Sequence, residues 1–315
     1  MGVAARLGRR AIRLANGALD AAALIAIMLL VAVGLYAMWD SKQVFSAADA
    51  AQYEVYKPTA QDEGKSFAEL RAMNPEVFAW VTVYGTFIDY PVEQAEDNMK
   101  YINTNAEGEY SLSGGIFLDY RCSVDFSDFS SILYGHHMEN HAMFGDIGLF
   151  ADKRYFDARE HGMLYYGDVE HGLTFFAFVH ADAYNGEVFR VQIEGEAERQ
   201  AYLDLLLEMA IHTRAVPVTP NDRIILLSTC SAISTNGRDI LLAKITDESY
   251  ENPFELEETD FIRTALAVDG LPGLWAIMPL WVKAVVIALP PLALLLSLMI
   301  KRKRKYRQYN SENIR

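Results

Sequence analysis

Short apolar runs, rich in β-branched and aromatic residues, dominate the middle of the chain. Gly, Asn and Asp separate most of these runs, and residues of that kind form the turns between neighbouring strands. Several short strands at such spacing predict an all-β barrel or sandwich. The runs that we interpret as strands cover residues 78–83, 87–92, 115–120, 130–135, 162–166, 172–181, 187–193, 223–229 and 238–245.

Two helices accompany this β pattern. In residues 196–215 the apolar side chains recur at helical spacing, and Glu and Arg occupy the other face. Before the first strand, Ser66 and Glu69 have the spacing of a capping box, which predicts a short helix that stops before Pro75. The fold is therefore predicted to be mainly β, with one helix before the strands and one inserted between them.

Two longer apolar runs lie near the ends of the chain. Residues 21–38 carry no charge and follow an arginine-rich segment, and residues 284–300 precede the basic block at 301–305. Each run approaches the ~20 residues that cross a bilayer as a helix, and the basic flanks favour the cytoplasmic side. We therefore expect two spans in the cell membrane, with both termini cytoplasmic and the middle region extracellular. A cleaved signal peptide is the alternative for the first run, and a buried helix or peripheral hairpin for the second.

The charge of the chain is unevenly distributed. The net charge is −14 although both ends are basic, so the region between the apolar runs is strongly acidic. An acidic exported region disfavours nucleic-acid partners, and two cysteines are too few for a disulfide-stapled scaffold. The predicted organisation is a cytoplasmic N-terminus (1–20), a transmembrane helix (21–39), an extracellular stalk (40–65), a β-domain (66–247), an acidic linker (248–275), a second transmembrane helix (276–300) and a basic cytoplasmic tail (301–315).

Cys230 directly follows the apolar run 223–229. A thiol attacks only as its thiolate, so a nucleophilic cysteine needs a cation or a base within reach. Arg238 opens the next apolar run, and it would flank Cys230 at one end of the sheet if the two runs pair side by side. The same spacing also fits a solvated surface arginine, so spacing alone leaves the role of the pair open.

Three of the seven histidines lie between residues 136 and 141, just after an apolar strand that ends at Gly135. A strand end can hold a catalytic side chain rigidly while leaving it accessible. His136 is therefore a candidate acid or base, with a hydrogen-bonded polar residue at a strand end as the alternative. His137 and His141 have the spacing of a helical zinc pair, but Met138 stands where the metalloprotease motif requires Glu.

These motifs together resemble those of the sortases, the cysteine transpeptidases of Gram-positive cell surfaces. The resemblance rests on "LLSTC" at 226–230, Arg238 and "YGHH" at 134–137. It is closest to class B and covers roughly residues 67–246, including the inserted helix. Further segments similar to class B follow one another in the expected order at 74–92, 97–103, 114–121 and 133–147.

The resemblance implies a closed sortase-type barrel of about eight strands, flanked here by two transmembrane helices. It implies that Cys230 is the nucleophile, that His136 is the acid and base, and that Arg238 stabilises the oxyanion or the substrate. No cofactor or metal is implied. The residues that match substrate-binding positions are Ser228, Thr229 and His137.

The resemblance also implies the partners. The enzyme would cleave a sorting motif of the LPxTG or NPxTN kind, near the C-terminus of an exported protein, at the Thr carbonyl. It would join that protein through a thioacyl intermediate to an amine of a cell-wall precursor. A pilin-polymerising enzyme, which uses a pilin lysine as the acceptor, is the alternative.

The sequence departs from the class B pattern in two places. A C-terminal span is more typical of class C, although residues 40–66 contain no class C lid motif. Cys122 stands where class B usually has Asn, and we interpret it as a free thiol. Two rival functions are a papain-like cysteine hydrolase and a non-enzymatic surface scaffold with an inert thiol. Papain-like enzymes carry Cys before His, whereas His136 here precedes Cys230.

Overall fold

The structure, a computed structural model, describes residues 3–58, 65–231 and 236–254. All of these except Phe254 belong to one unit of the chain, Met1–Pro253, and a second unit comprises Phe254–Arg315. The linker beyond residue 254, the predicted C-terminal span (276–300) and the basic tail (301–315) lie outside the described residues.

The described chain contains nine strands and four α-helices, each numbered in chain order. The helices are α1 (Val3–Ala47), α2 (Lys65–Met73), α3 (Lys153–Ala158) and α4 (Glu196–Glu208). The strands are β1 (Val77–Val83), β2 (Asp89–Glu93), β3 (Ile116–Leu118), β4 (Ser130–Tyr134), β5 (His161–Tyr166), β6 (Val169–Asp182), β7 (Ala210–Thr213), β8 (Arg223–Cys230) and β9 (Gly237–Thr246).

Eight of these strands close into a barrel in the order β5-β1-β2-β3-β4-β8-β9-β6, because β6 pairs back onto β5. Strand β6 is long enough to do more than close the ring. Its first part, residues 169–174, pairs with β5, and residues 177–179 pair with β7 outside the ring. The closed, mainly β barrel with a helix before it, as predicted from the sequence, is confirmed.

The strands that carry the longest apolar runs are buried on both faces. In β8, Ile225 and Leu227 belong to one apolar cluster, whereas Ile224 and Leu226 belong to another that includes α4. Since a helix cannot fit inside a barrel of eight strands, the face towards α4 is the outer one. Burial on both faces explains why β8 reads as a continuous apolar run rather than as an alternating one.

The inserted helix is shorter than the predicted 196–215. Helix α4 buries Tyr202, Leu203 and Leu206 and ends at Glu208, after which residues 210–213 form β7. The chain leaves the helix there because β6 offers unpaired backbone groups, and Phe178 of β6 pairs with His212 of β7. Backbone pairing to a neighbouring strand overrides a helical pattern that continues for a few residues more.

The predicted strand at 187–193 is also absent from the described sheet. Val188 and Ile193 are buried there, but the segment is irregular and Gln192 has a positive φ of 57°. The Tyr202 hydroxyl donates to the Val188 carbonyl at 2.6 Å, which satisfies a buried backbone group without a ladder. Apolar side chains therefore anchor this loop without making it a strand.

The N-terminal segment combines an apolar helix with a part that packs on the barrel. Within α1, the stretch Leu14–Trp39 is long and apolar enough to cross a membrane. In the predicted stalk, residues 40–65, α1 continues to Ala47 and Ala50–Tyr56 forms a 3₁₀ helix with Tyr53 buried. The hydroxyl of Tyr90 donates to the Ala48 carbonyl at 2.8 Å, so this part of the segment is fixed to the domain.

Glu93, at the end of β2, is fully buried, and within the described residues neither carboxyl oxygen has a hydrogen-bond partner. A Cβ added at Gly115 would come within 2.6 Å of Oε2 of Glu93, so the carboxyl group of Glu93 is tightly enclosed. Burial raises the pKa of Glu93 well above its ordinary value, because the charged form is poorly solvated there. The group is therefore held as the neutral acid.

A protonated Glu93 makes stability depend on pH. Because its pKa is higher in the folded than in the unfolded chain, the folded state binds more protons above the ordinary value of 4.5, and stability falls as pH rises. We expect the unfolding free energy of the wild type, relative to Glu93→Gln, to decline by up to about 1.4 kcal/mol per pH unit in that window. Urea unfolding of the detergent-solubilised chain at several pH values measures this difference.

The control for this experiment is Glu109→Gln, which changes an exposed glutamate. The unfolding free energy of that variant should differ from that of the wild type by the same amount at every pH. If the unfolding free energy of Glu93→Gln also differs from that of the wild type by a constant amount, then Glu93 does not titrate with an elevated pKa.

Candidate active site

The site lies where two parallel strands end side by side. Strands β4 and β8 pair in parallel with Tyr134 opposite Ser228, and the Gly135 N–H donates to the Ser228 carbonyl at 3.2 Å. His136 and Cys230 each follow two residues after that pair. Because parallel strands advance at the same rate, both residues leave the sheet at the same edge and at the same level.

The third residue comes from the strand on the other side of β8. Strand β9 runs antiparallel to β8, and Arg238 is the direct register partner of Cys230. Side chains of directly opposed residues lie on one face with their Cβ atoms about 5 Å apart. The Arg238 Nη1 donates to the Gly237 carbonyl at 3.1 Å. Cys230 therefore stands between a histidine and an arginine, and the structure brings together the three residues predicted to carry the chemistry.

The two cysteines differ sharply in their surroundings. Cys230 is exposed, whereas Cys122 is buried, and neither forms a disulfide. Burial raises the pKa of the Cys122 thiol to about 12, and its Sγ faces the Ser130 carbonyl at 3.9 Å. The prediction that Cys122 is a free thiol is confirmed, and its environment opposes formation of the thiolate.

The His136 ring is held by a backbone group that the sequence analysis did not identify. Its Nε2 lies 2.8 Å from the carbonyl oxygen of Ile102, at the end of the short 3₁₀ helix Lys100–Ile102. A carbonyl oxygen only accepts hydrogen bonds, so Nε2 must carry the proton. In the neutral ring, Nδ1 is then the nitrogen that can take up a proton and later release it.

A groove of about 370 Å³ runs past these residues. Ser228 and Thr229, which were predicted to bind substrate, line this groove, and both hydroxyls are buried without a hydrogen-bond partner in the described part of the chain. The other lining residues come from loops and strands far apart in the chain and carry no sequence signal that links them. They are Asn98, Met99, Ile102, Phe117, Tyr134, Gly135, Ala183 and Phe189.

His137, which was predicted to bind substrate, is not among the groove-lining residues. It pairs with Met143 through an isolated β-bridge, and its Nδ1 is buried. His141 is hydrogen-bonded through Nδ1 to Asp146 at 2.5 Å, and the described residues contain no group of three His, Cys, Asp or Glu suited to a metal ion.

Comparison with known proteins identifies relatives in sequence and in structure, although no protein-family model matches the chain. The chain is 32% identical over 212 residues to sortase B of Listeria monocytogenes, an alignment that covers 65% of this chain and 82% of the relative. The crystal structure of sortase B from the type II pilus of Streptococcus pneumoniae matches with 48% identity and a TM-score of 0.52, and covers 58% of this chain and 99% of that one.

A class B sortase involved in pilus biogenesis in Streptococcus pyogenes matches with 37% identity and a TM-score of 0.53, and covers 58% of this chain and 99% of that one. These proteins share the barrel described above, and the similarity to the Listeria enzyme extends over most of its length. The chain therefore belongs to the sortase family of cysteine transpeptidases, and its relatives are of class B.

Proposed function

We propose that this chain cleaves a C-terminal sorting motif of the LPxTG or NPxTN kind in exported proteins, at the Thr carbonyl, and transfers the product to an amine. The observation that carries this proposal is the shared edge of β4 and β8, at which His136 and Cys230 stand side by side with Arg238 opposite. Such a trio supplies a nucleophile, a proton carrier and a cation to one reacting carbonyl group.

In the first step the Cys230 thiolate adds to the carbonyl carbon, and the resulting oxyanion accepts hydrogen bonds from the Arg238 guanidinium. Donors of this kind typically lower the barrier by about 3–4 kcal/mol. The carbon–nitrogen bond then breaks as His136, in its imidazolium form, gives its Nδ1 proton to the departing amine. The sorted protein remains attached to Cys230 as a thioester.

In the second step an incoming amine gives a proton to Nδ1 of His136 and attacks the thioester carbonyl. A new amide bond forms, the carbon–sulfur bond breaks, and Cys230 leaves as its thiolate. The imidazolium and the thiolate are thereby both restored. The hydrogen bond from Nε2 to the Ile102 carbonyl keeps the ring oriented while Nδ1 changes its protonation state.

The groove supports binding of an extended peptide. The buried hydroxyls of Ser228 and Thr229 have no partner in the described residues. Ser228 lies on the same face of β8 as Cys230, so its hydroxyl can pair with a peptide group of the bound substrate and recover the free energy lost on burying it, whereas Thr229 borders the groove with its side chain on the other face. We therefore retain both residues in the substrate-binding set and omit His137 from it.

The setting of the enzyme follows from α1. Its apolar stretch Leu14–Trp39 is suited to anchor the domain at a membrane, where exported substrates are still tethered. Confinement of enzyme and substrate to one surface raises their effective concentration. We propose that the domain is extracellular and that residues 276–300 form a second span, with both termini in the cytoplasm.

The acceptor amine has two candidates, a cell-wall precursor and a pilin lysine. The two relatives described as pilus enzymes are 48% and 37% identical to this chain, compared with 32% for the Listeria enzyme. This difference in identity favours a pilin lysine as the acceptor. The wall precursor is the competing candidate.

The nucleophile should be visible in thiol reactivity. At pH 8 a thiol-directed alkylating reagent should modify Cys230 and leave Cys122 intact, because a pKa of about 12 leaves only about one thiolate in ten thousand at that pH. Mass spectrometry of peptides from the folded protein locates the label. The matched control is the unfolded chain, in which both cysteines should react; preferential labelling of Cys122 in the folded protein would contradict the assignment.

Removal of the reacting groups should abolish transfer. We expect Cys230→Ala and His136→Ala each to eliminate joining of a sorting-motif peptide to an amine, whereas Cys122→Ala retains it. Product formation is followed by liquid chromatography with mass detection. Circular dichroism of each variant verifies its folding, and ligation by a purified, folded Cys230→Ala variant would disprove the proposed chemistry.

The acceptor can be determined by competition. A sorting-motif peptide is incubated with enzyme and equal amounts of a folded pilin subunit and a peptidoglycan stem peptide. We expect ligation to a pilin lysine to dominate, because the pilus relatives share more of this sequence. A pilin with acetylated lysines is the control, and predominant ligation to the stem peptide would assign the enzyme to wall attachment instead.

A further inference from the structure

Asp119 follows β3 directly, and its side chain is completely buried. We propose that Asp119 is a positioning residue that sets the distance between the walls of the peptide groove without touching the peptide. This inference rests on the proposed function, because it concerns recognition of the sorting peptide. Asp119 is not among the residues that line the groove.

The Asp119 carboxyl group collects donors from three parts of the chain. Its Oδ1 accepts from the Arg121 backbone N–H at 3.0 Å and from Arg121 Nε at 2.8 Å. Its Oδ2 accepts from Arg121 Nη2 at 2.8 Å, from Asn98 Nδ2 at 3.1 Å and from the Tyr134 hydroxyl at 3.1 Å. A carboxylate can accept all of these bonds only when it is ionised.

The ionised form is favoured by the same contacts. Burial by itself would raise the pKa of Asp119, but the Arg121 side chain and the other donors outweigh burial and hold that pKa below its ordinary range. The pKa of the neighbouring Tyr134 hydroxyl is instead raised, by burial and by the charge of Asp119. Tyr134 therefore stays protonated and donates to the carboxylate.

Two residues of the groove walls are hydrogen-bonded directly to Asp119. Asn98 and Tyr134 both line the groove, and both donate to the same carboxylate oxygen. The Asn98 amide is held at its other end as well, because its Oδ1 accepts from the Tyr120 N–H at 3.0 Å. The orientation of this amide is thus fixed by one acceptor and one donor.

A third groove-lining residue, Phe189, is connected to Asp119 through Arg121. Its Nη2 lies 3.5 Å from the carbonyl oxygen of Phe189, which lines the groove from the irregular loop before α4. The same loop is held a second time, since Gln192 Nε2 donates to the Arg121 carbonyl at 3.2 Å. The Asp119–Arg121 pair therefore joins the segments of Asn98, Tyr134 and Phe189.

This arrangement predicts a defect in peptide binding. Replacement of Asp119 by Asn removes the charge that holds Arg121 and adds donors where Asn98 and Tyr134 already donate. The single acceptor oxygen of Asn cannot accept all of the bonds that the carboxylate accepts, whereas we expect the register of β8 and β9 at Cys230 to be kept, because Asp119 lies outside both strands. A loss of binding shared by ground state and transition state raises KM more than it lowers kcat.

The experiment uses the full chain in detergent and whichever of an LPxTG-type and an NPxTN-type fluorogenic peptide the wild type cleaves. We expect Asp119→Asn to raise KM by about tenfold or more and to change kcat by less than about threefold. The rate at which a small alkylating reagent modifies Cys230 should equal that of the wild type, because such a reagent does not need the groove walls.

Asp89→Asn is the matched control. Asp89 also accepts several side-chain hydrogen bonds, from Trp80 Nε1 at 2.7 Å, Thr82 Oγ1 at 2.8 Å and Lys57 Nζ at 2.6 Å, but it is not a groove residue. We expect its loss to lower the melting temperature and to leave KM unchanged. The comparison separates loss of a hydrogen-bonded carboxylate in general from loss of this one.

A second variant covers the case in which Asp119→Asn does not fold. Arg121→Lys keeps the positive charge but loses the planar fork that binds Asp119 through two nitrogens. It should raise KM by about threefold with little change in kcat.

Four outcomes decide the matter. A rise in KM without a matching loss in Cys230 labelling supports the positioning role. An unchanged KM in folded Asp119→Asn, or in Arg121→Lys if the first variant does not fold, overturns it. Parallel losses in labelling and in kcat also overturn it, because they indicate general damage. Failure of the wild type to cleave either peptide would instead refute the proposed substrate class, and this inference with it.

Discussion

The parallel pairing of β4 with β8 is the constraint on which the site depends. It brings residues that are far apart in sequence to one edge of the sheet, since His136 and Cys230 each follow two residues after a register pair. A parallel pair cannot be closed by a tight turn and needs a long crossover. Here α3, β5, β6, α4 and β7 lie between the two strands in sequence, so the site depends on pairing between distant parts of the chain.

The remaining parts of the site follow from this edge. Antiparallel pairing of β8 with β9 adds Arg238 opposite Cys230, and the carbonyl of Ile102 fixes the histidine ring from a separate segment. Each contact comes from a rigid element or from a hydrogen-bonded turn. Such preorganisation matters because small displacements of a reacting group reduce rates severely.

The sequence predicted those elements whose residue pattern has one physical explanation, such as a long apolar run that forms a buried strand. Long apolar runs predicted β8 and β9 and made Cys230, Arg238 and His136 candidates, but their roles came from the resemblance to sortases, because spacing alone left them open. The end of α4 and the loop at 187–193 were not predictable in this way, because pairing with β6 and one hydroxyl from Tyr202 decided them. The carbonyl of Ile102 left no signal either, since any residue supplies one.

Two buried carboxyl groups show why side-chain identity alone could not reveal the organisation of the groove. Glu93 is the last residue of β2 and Asp119 directly follows β3, and both are fully buried. Burial raises the pKa of Glu93, to which no other described residue donates, whereas at Asp119 the donors Arg121 and Asn98 outweigh burial and lower the pKa. The same chemical group is therefore a neutral acid enclosed in the core at one position and a charged centre that joins three segments at the other. Only the folded chain, which brings those donors together, determines the difference.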